Sequence, residues 1–147
     1  MSPSPSSRTS CVSHPDGLPD LFLDRSLGRV RVPSLLRAAG LRLVTLSERY
    51  GLPADERIPD HWWLGEAGAR GEAVLMKDAR IRYQPAEKAA LVAHAVRCFC
   101  LTGGNLSADD MAACFLDNLD AITAACEVAG PFVFAVQRRR IERLALG

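Results

Sequence analysis

Four separated stretches of this 147-residue chain carry carboxylates that a fold could gather: Asp24, the pair Asp55-Glu56, Asp78, and the pair Asp109-Asp110. Asp24 directly follows the apolar run Leu21-Phe22-Leu23, and Asp78 follows Ala73-Val74-Leu75-Met76 with only Lys77 between. Carboxylates brought together without imidazole or thiolate partners repel one another unless a cation neutralises them. Hard oxygen ligands suit Mg²⁺ or Mn²⁺. Such an ion can turn water into a nucleophile and stabilise charge on a phosphodiester. The competing reading is that each aspartate caps a helix or a turn. It stands level with the first for Asp55, Asp109 and Asp110. It is weaker for Asp24 and Asp78, each of which closes a buried strand.

Cations accompany these acids. Arg25 and Lys77, next to Asp24 and Asp78, are expected to position phosphate or orient a carboxylate. Arg29 and Arg31 flank the end of the first apolar run, and Arg80 and Arg82 follow Asp78, where they could hold phosphates. Arg138, Arg139 and Arg140 read better as a solvated surface.

The elements that must position these groups alternate along the chain. Short apolar runs at Leu21–Leu23, Leu41–Leu46, Ala73–Met76, Val96–Leu101 and Phe132–Val136 read as strands. Helices are expected from Pro33 to Gly40, from Ile58 to Ala69 with Asp55 near the N-cap, from Pro85 to Ala95, and from the N-cap Ser107 to about Ala129. The order β-α-β-α-β-α-β-α-β implies a parallel sheet covered by helices on both faces. In such a sheet ligands bind beyond the carboxyl ends of the strands, which is where Asp24 and Asp78 stand. Residues 1–17, rich in Ser, Pro and Gly, read as a flexible tail, and 18–147 as one domain.

Composition narrows the classes. The chain is 48% hydrophobic and 24% charged, as a globular domain is, and its net charge of +1 supplies no global field for nucleic acid. No apolar run reaches the roughly 20 residues needed to span a bilayer, and the N-terminus lacks the apolar stretch of a signal peptide. The expected location is therefore the cytoplasm, with the five cysteines reduced. Cys98 and Cys100 share one strand face and His94 is near, but the set reads as buried core rather than a zinc site. His61-Trp62-Trp63 could stack bases, though paired tryptophans at a helix start read better as core or as a dimer contact. No phosphate-binding glycine loop is present.

The stretches LFLDRSLGRVRVPSLLRAAGLRLVTL, ADERI, AVLMKDARI and CFCLTGGNLSADDMA, in that order, resemble the PIN-like nuclease fold, nearest to the VapC-type toxins of bacterial toxin–antitoxin systems. The resemblance runs from about Leu21 to Leu144 and implies a three-layer α-β-α domain with a central, mostly parallel five-stranded sheet. It further implies a Mg²⁺- or Mn²⁺-dependent endoribonuclease acting on RNA, a cognate antitoxin protein and a homodimer. By position, Asp24 and Asp78 match metal ligands. The acid before the second helix falls on Asp55 or Glu56, with Asp55 favoured, and the last on Asp109, with Asp110 as substitute. Met76 stands where the family usually has Thr or Ser. The alternative is a PIN-like module that binds RNA or a partner without cutting. A phospho-acceptor receiver domain ranks last, because it expects an acidic pair where this chain has Asp24-Arg25.

Overall fold

The computed structural model describes residues 13–146. Most of the tail expected over 1–17, and Cys11 with it, lies outside the described residues. From residue 13 onward the chain is held to the domain: the His14 ring lies 2.9 Å from the Leu18 carbonyl and accepts from the Arg42 amide at 2.9 Å.

Five strands, β1 (Leu21–Leu23), β2 (Leu43–Thr45), β3 (Ala73–Lys77), β4 (Arg97–Leu101) and β5 (Phe132–Val136), form the parallel sheet in the order β2-β1-β3-β4-β5. A sixth strand, β6 (Ile141–Leu144), adds antiparallel to β5 after a tight turn at Gln137–Arg140. The apolar runs of the sequence predict no strand beyond Val136, and β6 is an addition to the expected five. Glu142 is a poor strand former, and an edge strand buries too little to show an apolar pattern.

Helices α1 (Arg31–Ala38), α2 (Leu46–Tyr50), α3 (Asp60–Ala69), α4 (Pro85–Ala93), α5 (Ala108–Asp117) and α6 (Leu119–Ala125) cover the sheet, joined to three short 3-10 turns at Arg25–Leu27, Ala54–Arg57 and Ala79–Tyr83. Strand residues alternate between two cores, as the two-residue period of an extended chain demands. Leu21, Leu23, Leu75, Phe99 and Leu101 pack with α1, α5 and α6. Phe22, Val74, Met76, Cys98 and Cys100 pack with Trp63, Leu64 and Leu91 of α3 and α4. The four cysteines among the described residues are buried free thiols.

Three helical expectations are corrected. Leu46, expected to end a strand, opens α2, because Thr45 and Glu48 form a reciprocal capping box. Asp55 does not cap α3: it lies in the 3-10 turn, and α3 begins at Asp60 after Pro59. The long helix from Ser107 divides at Asn118, whose buried amide donates to the Cys114 carbonyl at 2.8 Å and to the Gln137 carbonyl at 2.6 Å. A side chain that takes a backbone carbonyl four residues back competes with the helix ladder and bends it. Its second bond ties that bend to the β5–β6 turn. Ser107 is the N-cap as expected, accepting from the Asp110 amide at 3.0 Å.

Candidate active site

Beyond the carboxyl ends of β1 and β3 lies an open cleft of about 530 Å³. Asp24, Arg25 and Ser26 reach it from the end of β1, Lys77, Asp78 and Arg80 from the end of β3, and Asp60 and Glu87 from the first turns of α3 and α4. The parallel register Leu23↔Leu75 sets the two strand ends side by side, so local sequence and sheet pairing together bring Asp24 near Asp78.

Asp24 is the buried member, 6% exposed. Ser26 donates to its Oδ1 from both the backbone amide (3.2 Å) and the hydroxyl (2.5 Å), and that hydroxyl accepts in turn from the Lys77 amide at 2.9 Å. Ser26 thereby couples the two strand ends. Burial pushes the Asp24 carboxyl up to about 6, against the lowering effect of the Ser26 bonds, and the nearby Asp60 charge adds to the rise.

Asp78 is half-exposed and held differently. The Arg80 guanidinium makes contacts of 2.6–2.9 Å with both its oxygens and keeps its carboxyl below the ordinary aspartate value. Its backbone sits at φ 73°, a left-handed conformation uncommon for a residue with a side chain, while its carboxylate accepts from the Arg80 amide at 3.0 Å. Strain of this kind persists where the surroundings over-determine it, and functional sites are common among such places. Arg25 crosses the cleft wall, donating to the Asp55 and Ile58 carbonyls at 2.8 and 2.9 Å, with its other arm 3.5 Å from Asp60. Asp60 also accepts from the Trp63 indole at 3.0 Å. The Lys77 ammonium has no hydrogen-bond or ion-pair partner among the described residues.

The remaining acids singled out in the sequence do not line this cleft. Asp55 is 1% exposed, and its Oδ2 accepts two bonds from Arg29 at 3.0 and 3.2 Å while Oδ1 is buried without a partner. Glu56 is exposed and shares Arg29 at 3.0 Å. Asp109 pairs with Arg31 at 3.0 Å on the α1–α5 side, and Asp110 faces Arg138 at 3.9 Å. Arg82 stacks on Tyr83 and donates to the Ala145 carbonyl. Arg139 borders Asp117, and Arg140 pairs with Glu142 across the turn. The cleft acids that sequence reasoning passed over, Asp60 and Glu87, each sit in the first turn of a helix, where acidic residues are common for reasons of helix polarity alone. The one local signal for Asp60 is Pro59 before it, a helix-start marker that competes with the earlier Asp55.

A sequence profile described as "PIN like domain" matches residues 19–103, the span that contains β1, β3, β4 and every residue of the cleft. The chain belongs to the PIN-like domain family. The Mycobacterium tuberculosis protein named "Putative ribonuclease VapC45" is 37% identical to it over 127 residues, covering 86% of this chain and 92% of that one. No solved structure matches the chain significantly. The α-β-α layering and mostly parallel sheet of this PIN-like domain agree with the expected fold, with β6 added at the edge.

Two motifs resolve toward packing. Cys98 and Cys100 lie inside the α3–α4 core while His94 is exposed, and burial pushes both thiols up. Trp63 is fully buried, 5.5 Å from the Phe22 ring, whereas Trp62 is 55% exposed beside the groove between α3 and α4. Among the described residues no helix is long and apolar enough to cross a membrane.

Proposed function

We propose that this PIN-like domain is a Mg²⁺- or Mn²⁺-dependent endoribonuclease, the toxin of a toxin–antitoxin pair, and that its site is the cleft holding Asp24, Asp60 and Asp78. The observation that carries the reading is Asp24. It is a buried carboxyl at a sheet's carboxyl edge, facing other carboxylates and backed by arginine and lysine, in a chain whose relative is named a ribonuclease. A buried acid with a strongly raised pKa in a cleft is a recurrent mark of a functional site.

The donor set fits a hard divalent cation: carboxylates and one hydroxyl, with no imidazole or thiolate lining the cleft. Asp24, Asp60 and Asp78 would hold the ion, with Glu87 behind them. A bound ion would supply a nucleophilic water and neutralise phosphodiester charge. The protein's own groups supply the rest. Ser26 fixes the rotamer of Asp24. Lys77 and Arg80 meet the phosphate, Arg80 leaving Asp78 as it does so. Arg25 locks the Asp55–Ile58 segment so that Asp60 faces the cleft. The cytoplasm, a cognate antitoxin and a homodimer belong to the same reading.

The second reading is a module that binds RNA or a protein without cutting. It is favoured by one observation: among the described residues no three acidic, His or Cys side chains stand close enough to hold a metal as placed, since Asp78 is occupied by Arg80 and Asp60 by Arg25 and Trp63. Calorimetric titration with MnCl₂ and a gel assay of RNA cleavage separate the two. Binding, with cleavage lost on adding EDTA, supports the nuclease; RNA binding without either supports the module.

The roles of Asp60 and Asp55 separate in the same assay. Asp60→Asn is expected to lower cleavage at least about 10²-fold with the melting temperature nearly unchanged. Asp55→Asn is expected to cost about 1–3 kcal/mol in urea unfolding, because it breaks a charge-assisted pair to Arg29 inside the protein. Its activity at a temperature where it stays folded should remain within a few-fold of wild type. Glu56→Gln, at an exposed site, should change neither. An Asp55→Asn variant that is stable but inactive would move the third ligand back to the residue first expected.

A further inference from the structure

We infer that a second pocket on the carboxyl edge of the sheet, formed by the ends of β4 and β5, is a nucleobase subsite for the RNA strand whose phosphate lies in the Asp24–Asp78 cleft. The inference rests on the proposed reading of that cleft. The pocket measures about 360 Å³. Its floor is apolar, made by Leu106, Cys114 and Val136, and its rim carries the Thr102 hydroxyl, the Gln137 amide and the Arg138 guanidinium.

Position is the first argument. The register pairs Lys77 with Leu101 and Leu101 with Val136, so Asp78, Thr102 and Gln137 are the next residues of three adjacent strands. With strands about 4.8 Å apart, Thr102 lies about 5 Å and Gln137 about 10 Å along the edge from Asp78. The cleft is bordered by residues of the α3–α4 core, and the pocket by residues of the α5 core. A strand that lays a phosphate at Asp78 and crosses the sheet edge meets this pocket next.

Chemistry is the second argument. The side chains of Thr102 and Gln137 make no hydrogen bond among the described residues, which leaves a hydroxyl and an amide to read a base edge. Among the described residues Arg138 is held only by exposed contacts of 3.6 Å to Asp117 and 3.9 Å to Asp110, so its planar guanidinium is available to stack on a base or reach a phosphate. An apolar floor with a few convergent polar groups is the usual form of a small-ligand site. Single-stranded RNA offers unstacked bases to such a slot.

Gly103 gives the test, because it lines the pocket. The three atoms that a Cβ built there meets first all belong to the Leu106 side chain, none nearer than 3.4 Å. The added carbon is in ordinary contact, and the rest of a larger side chain takes up pocket space. The full chain and its Gly103→Leu variant are compared by fluorescence anisotropy against two probes of equal charge: a random-sequence RNA decamer and a ribose-phosphate decamer lacking bases. Thermal melts check that the variant is folded. Wild type is expected to bind the intact decamer about tenfold more tightly than the abasic one, from the stacking of a base. Gly103→Leu is expected to lose most of that preference while binding the abasic decamer as wild type does. Equal loss toward both probes, or a preference for bases that survives Gly103→Leu, overturns the subsite and leaves the nuclease reading standing. Absence of RNA binding by wild type, in Mg²⁺ and in EDTA alike, removes both.

Discussion

Asp24→Asn is expected to lower RNA cleavage on the order of 10³-fold and, at the same time, to raise the melting temperature of the metal-free protein at pH 7. Both effects follow from one buried carboxyl. Its folded-state pKa is pushed up to about 6, above the ordinary 3.8, chiefly by burial. The folded state therefore binds the proton more tightly than the unfolded chain does. Stability from this group is fully present below about pH 3.8 and is lost as pH rises through about 6. By pH 7 the loss amounts to about 3 kcal/mol, since each pKa unit is worth about 1.36 kcal/mol. Asparagine keeps the shape and the Ser26 contact but carries no charge. Its variant should show a flatter stability profile between pH 4 and pH 7 in EDTA, and a higher melting temperature at the upper end. Wild type should recover stability at pH 7 when Mn²⁺ is added, and the variant should recover less. A variant that melts well below wild type in EDTA would make Asp24 a structural cap, and one that cleaves at the wild-type rate would remove it from the site.

The largest expected loss of stability lies at the amino end of β3, away from the cleft. Arg49 and Glu72 form a bidentate pair at 2.8 and 2.5 Å with only 10% of either side chain exposed. The guanidinium also sits 4.8 Å from the centre of the Phe22 ring, two residues before Asp24 on β1. Removing one member of a buried pair strands the other charge away from water, at a cost of about 3–5 kcal/mol. Glu72→Ala is thus expected to lower the urea midpoint by that equivalent. Replacing both members with apolar residues of similar volume, Arg49→Met with Glu72→Leu, should restore most of the loss, because no charge is then left unpaired. If Glu72→Ala proves nearly neutral, the pair is solvated more than its burial indicates. Loss of activity is expected to follow loss of folding here, so cleavage measured well below the melting temperature should stay near wild type.

Much of this architecture is legible along the chain. Apolar runs at Leu21–Leu23 and Phe132–Val136 are strands with the bounds their composition suggests, because a strand covered on both faces needs an unbroken apolar run. Ser107 announces α5 through its cap. Elements that bury little carry no apolar signal, notably β6. Others were redirected by side chains acting on backbone: the Thr45–Glu48 box turned the end of a strand into α2, and Asn118 cut one helix into two.

For the cleft, the sequence by itself determined that Asp24 and Asp78 stand at the carboxyl ends of parallel strands, each beside a cation. That the two strands are neighbours is a matter of sheet order, set by the fold. An aspartate that ends a buried strand has one place to be. Which further acids line the cleft with them was decided by tertiary structure alone. Asp55 is drawn away by Arg29, 26 residues earlier, and Asp109 by Arg31, 78 residues earlier. Asp60 gains its place because Arg25 fixes the carbonyls of the segment before it. A carboxylate in a loop or a first helical turn points wherever its nearest guanidinium lies, and that partner comes from a remote part of the chain that only folding brings close.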